Sequence, residues 1–314
     1  MMAAVIAPGH RRVPRAAGSA AADLARELAV PVPFSMDGLR GRLQQLSDRV
    51  VEFAPMIMEP GAPSGVWFRT DGADYLCYEE GTSAFHQAHI VVQLAAHTLL
   101  AGAAGPTADA RLVPDVSPRL AEVMLGDAAR SLVSETEAED FAFRALEGIS
   151  GFPSGLGARR ALRQLRPLRG ALLAAVPEAA HRAASGGPAG ARSRLYWAVI
   201  EIRDAALVLR PYRDRREATV SAAGLAGDEL AAAAEAAMLA GAVRARKAGQ
   251  PVRPAAAGAG YVPVTGADLR SEAEWLVKVA RAFSRLPLRG VPGEDGPAVI
   301  AAECSAPVAE AERS

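Results

Sequence analysis

His86, His89, Gln93 and His97 stand three or four residues apart in the largely apolar run HQAHIVVQLAAHTLL at 86–100. Spacings of three and four residues place neighbouring members of this set on a shared helix face. Imidazoles so spaced can offer a metal ion two ligands, and a partly buried imidazole can also move a proton near neutral pH. The pair at 93 and 97 supplies only one imidazole, because an amide oxygen is a poor zinc donor. His89 would join His97 only if the site shifted by a helical turn. A second constellation, Glu135-Thr136-Glu137-Ala138-Glu139-Asp140, opens another helix. Acids are favoured there by unpaired amides, so Glu135 is open to two roles, a solvated first-turn acid or a site group. His97 likewise stays open between a hydrogen-bonded core histidine and a metal or acid–base group. Tyr75 and Tyr78, on an adjacent strand, offer hydrogen bonds to a ligand.

The later segment LYWAVIEIRDAALVLRPY at 195–212 carries Glu201, Arg203 and Asp204 in an apolar helix. Buried charges must be paired to be tolerated, so a structural ion-pair network is expected there before an acid pair in a pocket. Tyr196, Trp197, Tyr212 and Trp275 are expected as core or domain-interface contacts. Arg159, Arg160, Arg163, Arg166 and Arg169 form a basic stripe without aromatic interleaving. It is expected as a solvated face, or as a docking surface for the acidic Glu135–Asp140 helix, before a phosphate-binding stripe.

The elements that must position these groups follow from periodicity. Helices are predicted at 20–28 and 38–48, the second capped by Ser35 or Asp37. Strand-like runs cover 50–58, 65–70 and 73–78, and Asp71-Gly72 marks a tight hairpin. Further helices are predicted at 83–100, from Ser117-Pro118 onward, and at 133–146. Gly102–Thr107 is a loop, and Gly148–Gly157 is the candidate domain boundary. Beyond it the chain reads as all helix: from Pro167 to about Val176, then 193–209, 228–247 and 268–285. Gly186–Ala191 and Ala255–Gly260 break the pattern. In the last helix Leu269, Leu276, Val279 and Phe283 share a face, with Glu274 and Lys278 expected to pair on the other. The fold class is α+β: a flexible arm at 1–17, a domain with a small sheet at 18–150, an all-helical domain at 151–290 and a loosely ordered tail at 291–314.

The 314 residues are half apolar and carry 35 basic and 35 acidic side chains, so no overall field attracts nucleic acid or acidic membranes. The basic N-terminal residues His10, Arg11, Arg12 and Arg15 are expected as a frayed tail. No segment approaches a membrane span, and the two cysteines, Cys77 and Cys304, form no metal-binding spacing. The expectation is a cytoplasmic protein, and the Ala, Arg, Gly and Pro usage points to a high-GC genome such as an actinobacterium's.

Residues 35–145 resemble the actinobacterial branch of the ImmA/IrrE-type metallopeptidases. The likeness rests on the 86–100 run, on Glu135–Ala142 (ETEAEDFA), on VSPRLAEVMLG at 116–126 and on GVWFRTDGADYLCYEEGTSAFHQAHI. That resemblance implies a zincin-like fold and places the family's H-E-x-x-H core at Gln93-Leu94-Ala95-Ala96-His97. It also places the third zinc ligand at Glu135. On that alignment Gln93 replaces a ligand and Leu94 replaces the general base, which cannot then take a proton from water. Peptide hydrolysis is therefore not expected, nor a metal unless His97 and Glu135 hold one, nor any cofactor. Residues 158–286 resemble a helical domain of unknown function found on actinobacterial putative membrane transporters. The functional expectation is a non-catalytic pseudo-metallopeptidase acting as a regulator or ligand-binding protein. His86, His89, Gln93, Tyr75 and Tyr78 would face a protein partner, of helix-turn-helix class by family likeness, or a small molecule. The alternative is a metal-independent isomerase, cyclase or lyase of secondary metabolism using His97 and Glu135 as acid and base. A third reading keeps an active zinc peptidase on His89, His97 and Glu135.

Overall fold

The computed structural model describes residues 17–30, 34–59, 62–70, 72–101, 135–147, 153–181, 190–214, 225–250 and 268–286. Several expectations lie outside them: the arm, Asp71, the Gly102–Thr107 loop, the Ser117-Pro118 helix, Ala255–Gly260 and the tail. Helices α1 (Ala17–Leu28) and α2 (Met36–Ser47) come first. The Ser35 hydroxyl oxygen accepts from the Gly38 amide at 3.1 Å, satisfying an otherwise free N–H of the first turn of α2. Strands β1 (Val50–Met56), β2 (Gly65–Arg69) and β3 (Ala73–Glu79) then form a sheet in the order β1-β3-β2. β1 runs parallel to β3 and β2 antiparallel to it.

Alternation divides this sheet into two faces. Trp67, Leu76 and Tyr78 join the main core, while Val66, Cys77 and Met58 make a small second cluster on the far side. Helix α3 (Ala84–Ala101) lies on the main-core face. Its approach is close at Gly65, where an added Cβ would sit 2.6 Å from Ile90 Cγ2 and 3.1 Å from Leu94 Cδ1. Glycine is required there by the neighbouring helix. Buried Asp74 is held by Arg69 at 2.7 and 3.0 Å and by Arg49 at 3.3 Å, a charge-neutralised anchor at the start of β3.

Helix α4 (Glu135–Glu147) packs on α1 and α3. The remaining described elements are helical: α5 (Gly155–Ala175), α6 (Ala191–Val208), α7 (Gly227–Lys247) and α8 (Leu269–Phe283). Short 3₁₀ turns at Pro177–Ala179 and Arg210–Tyr212 follow α5 and α6. α6 buries nearly its whole circumference and is the central helix of this half.

Two local expectations need correction. Pro167 does not start a helix; it lies inside α5, which runs on from Gly155. Proline removes one helical hydrogen bond, but Leu165, Leu168 and Leu172 flank it on a fully buried stripe that holds the helix together. Lys278 does not pair with Glu274; its ammonium reaches Asp228 of α7 at 2.8 Å. Asp268 caps α8 instead, its carboxylate accepting from the Arg270 and Ser271 amides at 3.0 Å. One apolar cluster runs through both halves, from Leu39, Leu76 and Ile90 to Leu165, Tyr196 and Leu276. The core therefore continues past the Gly148–Gly157 segment.

Candidate functional site

α3 carries His86, His89, Gln93 and His97, of which the first two are the more deeply buried. Gln93 and His97 are half-buried and have interacting partners. Burial holds the His97 imidazole below its ordinary pKa, so it is neutral at pH 7. Glu135 begins α4, and its side chain lies outside the described ones. Leu94, between Gln93 and His97 in the sequence, is buried against β2.

His86 and His89, nearer the start of the helix, are buried and meet Asp204 and Tyr196 of the helical half. Thr82 Oγ1 and His86 Nδ1 share a 2.9 Å hydrogen bond. His86 Nε2 lies 3.0 Å from Asp204 Oδ1 on α6, an ion-pair approach without the alignment of a hydrogen bond. The other Asp204 oxygen is 2.7 Å from His181 Nε2, and His181 Nδ1 is 2.9 Å from Glu139 Oε1 on α4. A polar chain thus runs Thr82, His86, Asp204, His181, Glu139. It opens to solvent at one end, where the Asp204, His181 and Glu139 side chains are 22%, 18% and 11% exposed. Beside it, His89 Nδ1 and the Tyr196 hydroxyl are 2.6 Å apart, and the Trp197 ring stands edge-on to His89. The His181 amide donates to Glu201 at 3.2 Å, and Glu201 also receives the Arg169 guanidinium.

The electrostatics follow from these contacts. Burial works against a charged His181, but hydrogen bonds to Asp204 and Glu139 outweigh it and push the pKa up to about 10. His181 is then an imidazolium with both N–H groups donating. Burial also opposes the Asp204 anion, yet the His86 ring and the His181 hydrogen bond hold its carboxyl well below the usual range. His89, buried and beside His86, falls to about 3 and stays neutral. Burial lifts the Tyr196 phenol far above its ordinary value. An imidazolium donating both N–H groups to carboxylates has no free lone pair, so it cannot act as a base until it gives up a proton. This is the chemistry of a joint.

Tyr75 is on the wrong side of the sheet for this site. It stacks on Phe68, centroids 5.2 Å apart, on the face turned away from α3. Tyr78 does face the main core, and burial together with the Glu80 charge raises its pKa. The expected charge network in α6 is present: Glu201 with Arg169, Asp204 with the histidines, and Arg203 with Glu235 (2.7 Å) and Glu272. Trp275 Nε1 completes it by donating to Glu235 at 2.7 Å. Arg169 therefore serves Glu201 rather than α4, while Arg159, Arg160, Arg163 and Arg166 are exposed. A second tie between the halves joins Arg210 Nη1 to buried Glu79 at 2.7 Å, and Arg210 also donates to the Met58 carbonyl. His181 was not singled out from sequence; being one of only five histidines was its sole signal.

Among the described residues, no group of three or more His, Cys, Asp or Glu side chains is arranged to hold a metal ion, and no helix is long and apolar enough to cross a membrane. A family model described as a family of unknown function (DUF6545) matches residues 155–285, which span α5 to α8. No curated protein and no solved structure matches the chain.

Proposed function

We propose that this chain is a non-catalytic regulatory or ligand-binding protein, built on a zincin-like scaffold whose metallopeptidase helix now serves as packing. The observation that carries this reading is Leu94. Where the family resemblance places a general base, this side chain is 7% exposed and packs against Gly65 of β2. A carboxylate at that place would be desolvated among apolar atoms. His86 and His89 support the same reading, because Asp204 and Tyr196 engage them. The donor set at 93–97, one amide and one imidazole, does not fit a catalytic zinc, and no hydrolytic step through a metal follows from it.

The test is elemental analysis of the untagged protein and of His97→Ala, with casein cleavage assayed in parallel. The expected result is zinc well below one per chain in both, and no cleavage. Near-stoichiometric zinc that disappears in His97→Ala would overturn the proposal. The neutral state of His97 favours a second reading, a metal-independent acid–base enzyme using His97 with Glu135. It predicts that a co-purifying small molecule, identified by mass spectrometry, is converted by the protein and not by His97→Ala.

A further inference from the structure

α5 and α8 leave a groove of about 580 Å³ between them, within the range of about 300–1,000 Å³ typical of small-molecule sites. Its floor is apolar and made of small side chains: Ala161 from α5, with Ala273 and Val277 from α8. These residues are too short to fill the gap between the two helices. The rim is cationic. Arg160, Arg270 and Arg281 are exposed, and among the described residues their side chains make no hydrogen bond or ion pair. Lys278 also lines the groove but is held by Asp228, and Glu274 is the acid of the lining. In a chain of zero formal net charge, this is a local concentration of unspent positive charge around an apolar trough.

We infer that the groove binds an amphipathic organic anion free in solution, its apolar body on the Ala161–Ala273–Val277 floor and its phosphate or carboxylate among Arg160, Arg270 and Arg281. Guanidinium forks match such groups in a planar, two-pronged geometry. Exposed charges alone contribute little, so an inorganic anion would touch only the rim and bind weakly. Burial of the apolar body supplies the rest. A flat lipid surface would likewise meet the rim and leave the concave floor uncovered. The site lies wholly within α5 and α8 and their flanking residues, so it stands apart from the fate of α3 and goes beyond the reading above.

The experiment is calorimetric titration of the full chain with monomeric decyl phosphate. Inorganic phosphate, decyltrimethylammonium and phosphatidylglycerol vesicles form the other arms. Single-site binding of decyl phosphate is expected, with no saturable binding in the other arms. Affinity should fall about tenfold or more in Arg160→Glu/Arg281→Glu, which removes two charge-assisted contacts. Filling the floor with Ala161→Trp should abolish binding. Thermal melts report whether each variant is folded, and if Ala161→Trp is not, the double charge reversal at exposed positions decides alone. Absent or multi-site binding, unchanged affinity in the charge reversal, equal uptake of the cationic amphiphile, or binding to vesicles alone would each overturn the inference. Zinc content and casein cleavage are read separately, so failure here leaves the non-catalytic reading standing, and the converse holds.

Discussion

The Tyr196 hydroxyl and His89 Nδ1 lie 2.6 Å apart across the contact between the sheet-bearing half and the helical half. Both side chains are buried, and their shifted proton affinities keep both neutral near pH 7. The bond therefore joins two uncharged groups that water does not reach.

Tyr196→Phe should lower stability by about 1–3 kcal/mol, because it leaves the imidazole nitrogen buried and unpaired. A double-mutant cycle with His89→Leu, followed by urea denaturation, should return a coupling of at least about 0.5 kcal/mol. Strict additivity would mean that the contact does not hold the halves together.

Stability should peak near pH 6.5 and decline on both sides. His181 binds its proton more tightly when folded, its pKa rising from 6.5 to about 10. Its contribution is full below pH 6.5 and is lost as pH rises through that interval. His89 works in the opposite direction: the unfolded chain takes a proton below 6.5 that the folded protein resists down to about 3. His97 and Asp204 add to this acid limb, since acid protonates an unfolded imidazole and an unfolded carboxylate before their folded counterparts. Melting temperature against pH tests this, and His181→Gln should flatten the decline between about pH 7 and 9. An alkaline limb that survives the substitution would assign the effect elsewhere.

Arg203→Met should cost about 3–5 kcal/mol, because Glu235 and Glu272 would be left buried without their cation. Replacing all three, Arg203→Met/Glu235→Leu/Glu272→Leu, should recover part of that loss, since the apolar set strands no charge and leaves only the Trp275 N–H without its acceptor. Chemical denaturation of the two variants separates a penalty for stranded charge from a simple packing defect.

Much of the architecture was legible because it is local. Strand alternation, the Ser35 cap, the α8 stripe and the charge pairing around Arg203 all follow from neighbours in sequence or from the cost of burying a charge. The joint was not legible. Asp204 meets His86 across 118 positions of chain and His89 meets Tyr196 across 107, and periodicity carries no information about which faces of two remote helices meet. Pro167 misled for a related reason. Its local cost favours a helix boundary, and the buried leucines that override it act through tertiary packing. Tyr75 and Tyr78 were grouped as strand neighbours, although three positions of separation put them on opposite faces.

Gly65→Ala should destabilise by about 1–3 kcal/mol through overpacking, since the new methyl would sit 2.6 Å from Ile90 Cγ2. The cost should shrink in an Ile90→Ala background, measured by thermal or urea unfolding. An equal cost in both backgrounds would place the effect in the strand itself.

Tyr196, Asp204 and Arg210 all fall within the 155–285 segment that matches a family, yet each reaches outside it for a partner: His89, His86, and Glu79 with the Met58 carbonyl. The segment thus carries an outline of its neighbour on its own surface. Any chain that joins a like segment to a different companion must supply a mate for a buried phenol and a ring nitrogen near a carboxylate. It must also supply an acid for a guanidinium, or change those three residues. Covariation between these positions and whatever sequence precedes them is the trace such compatibility would leave.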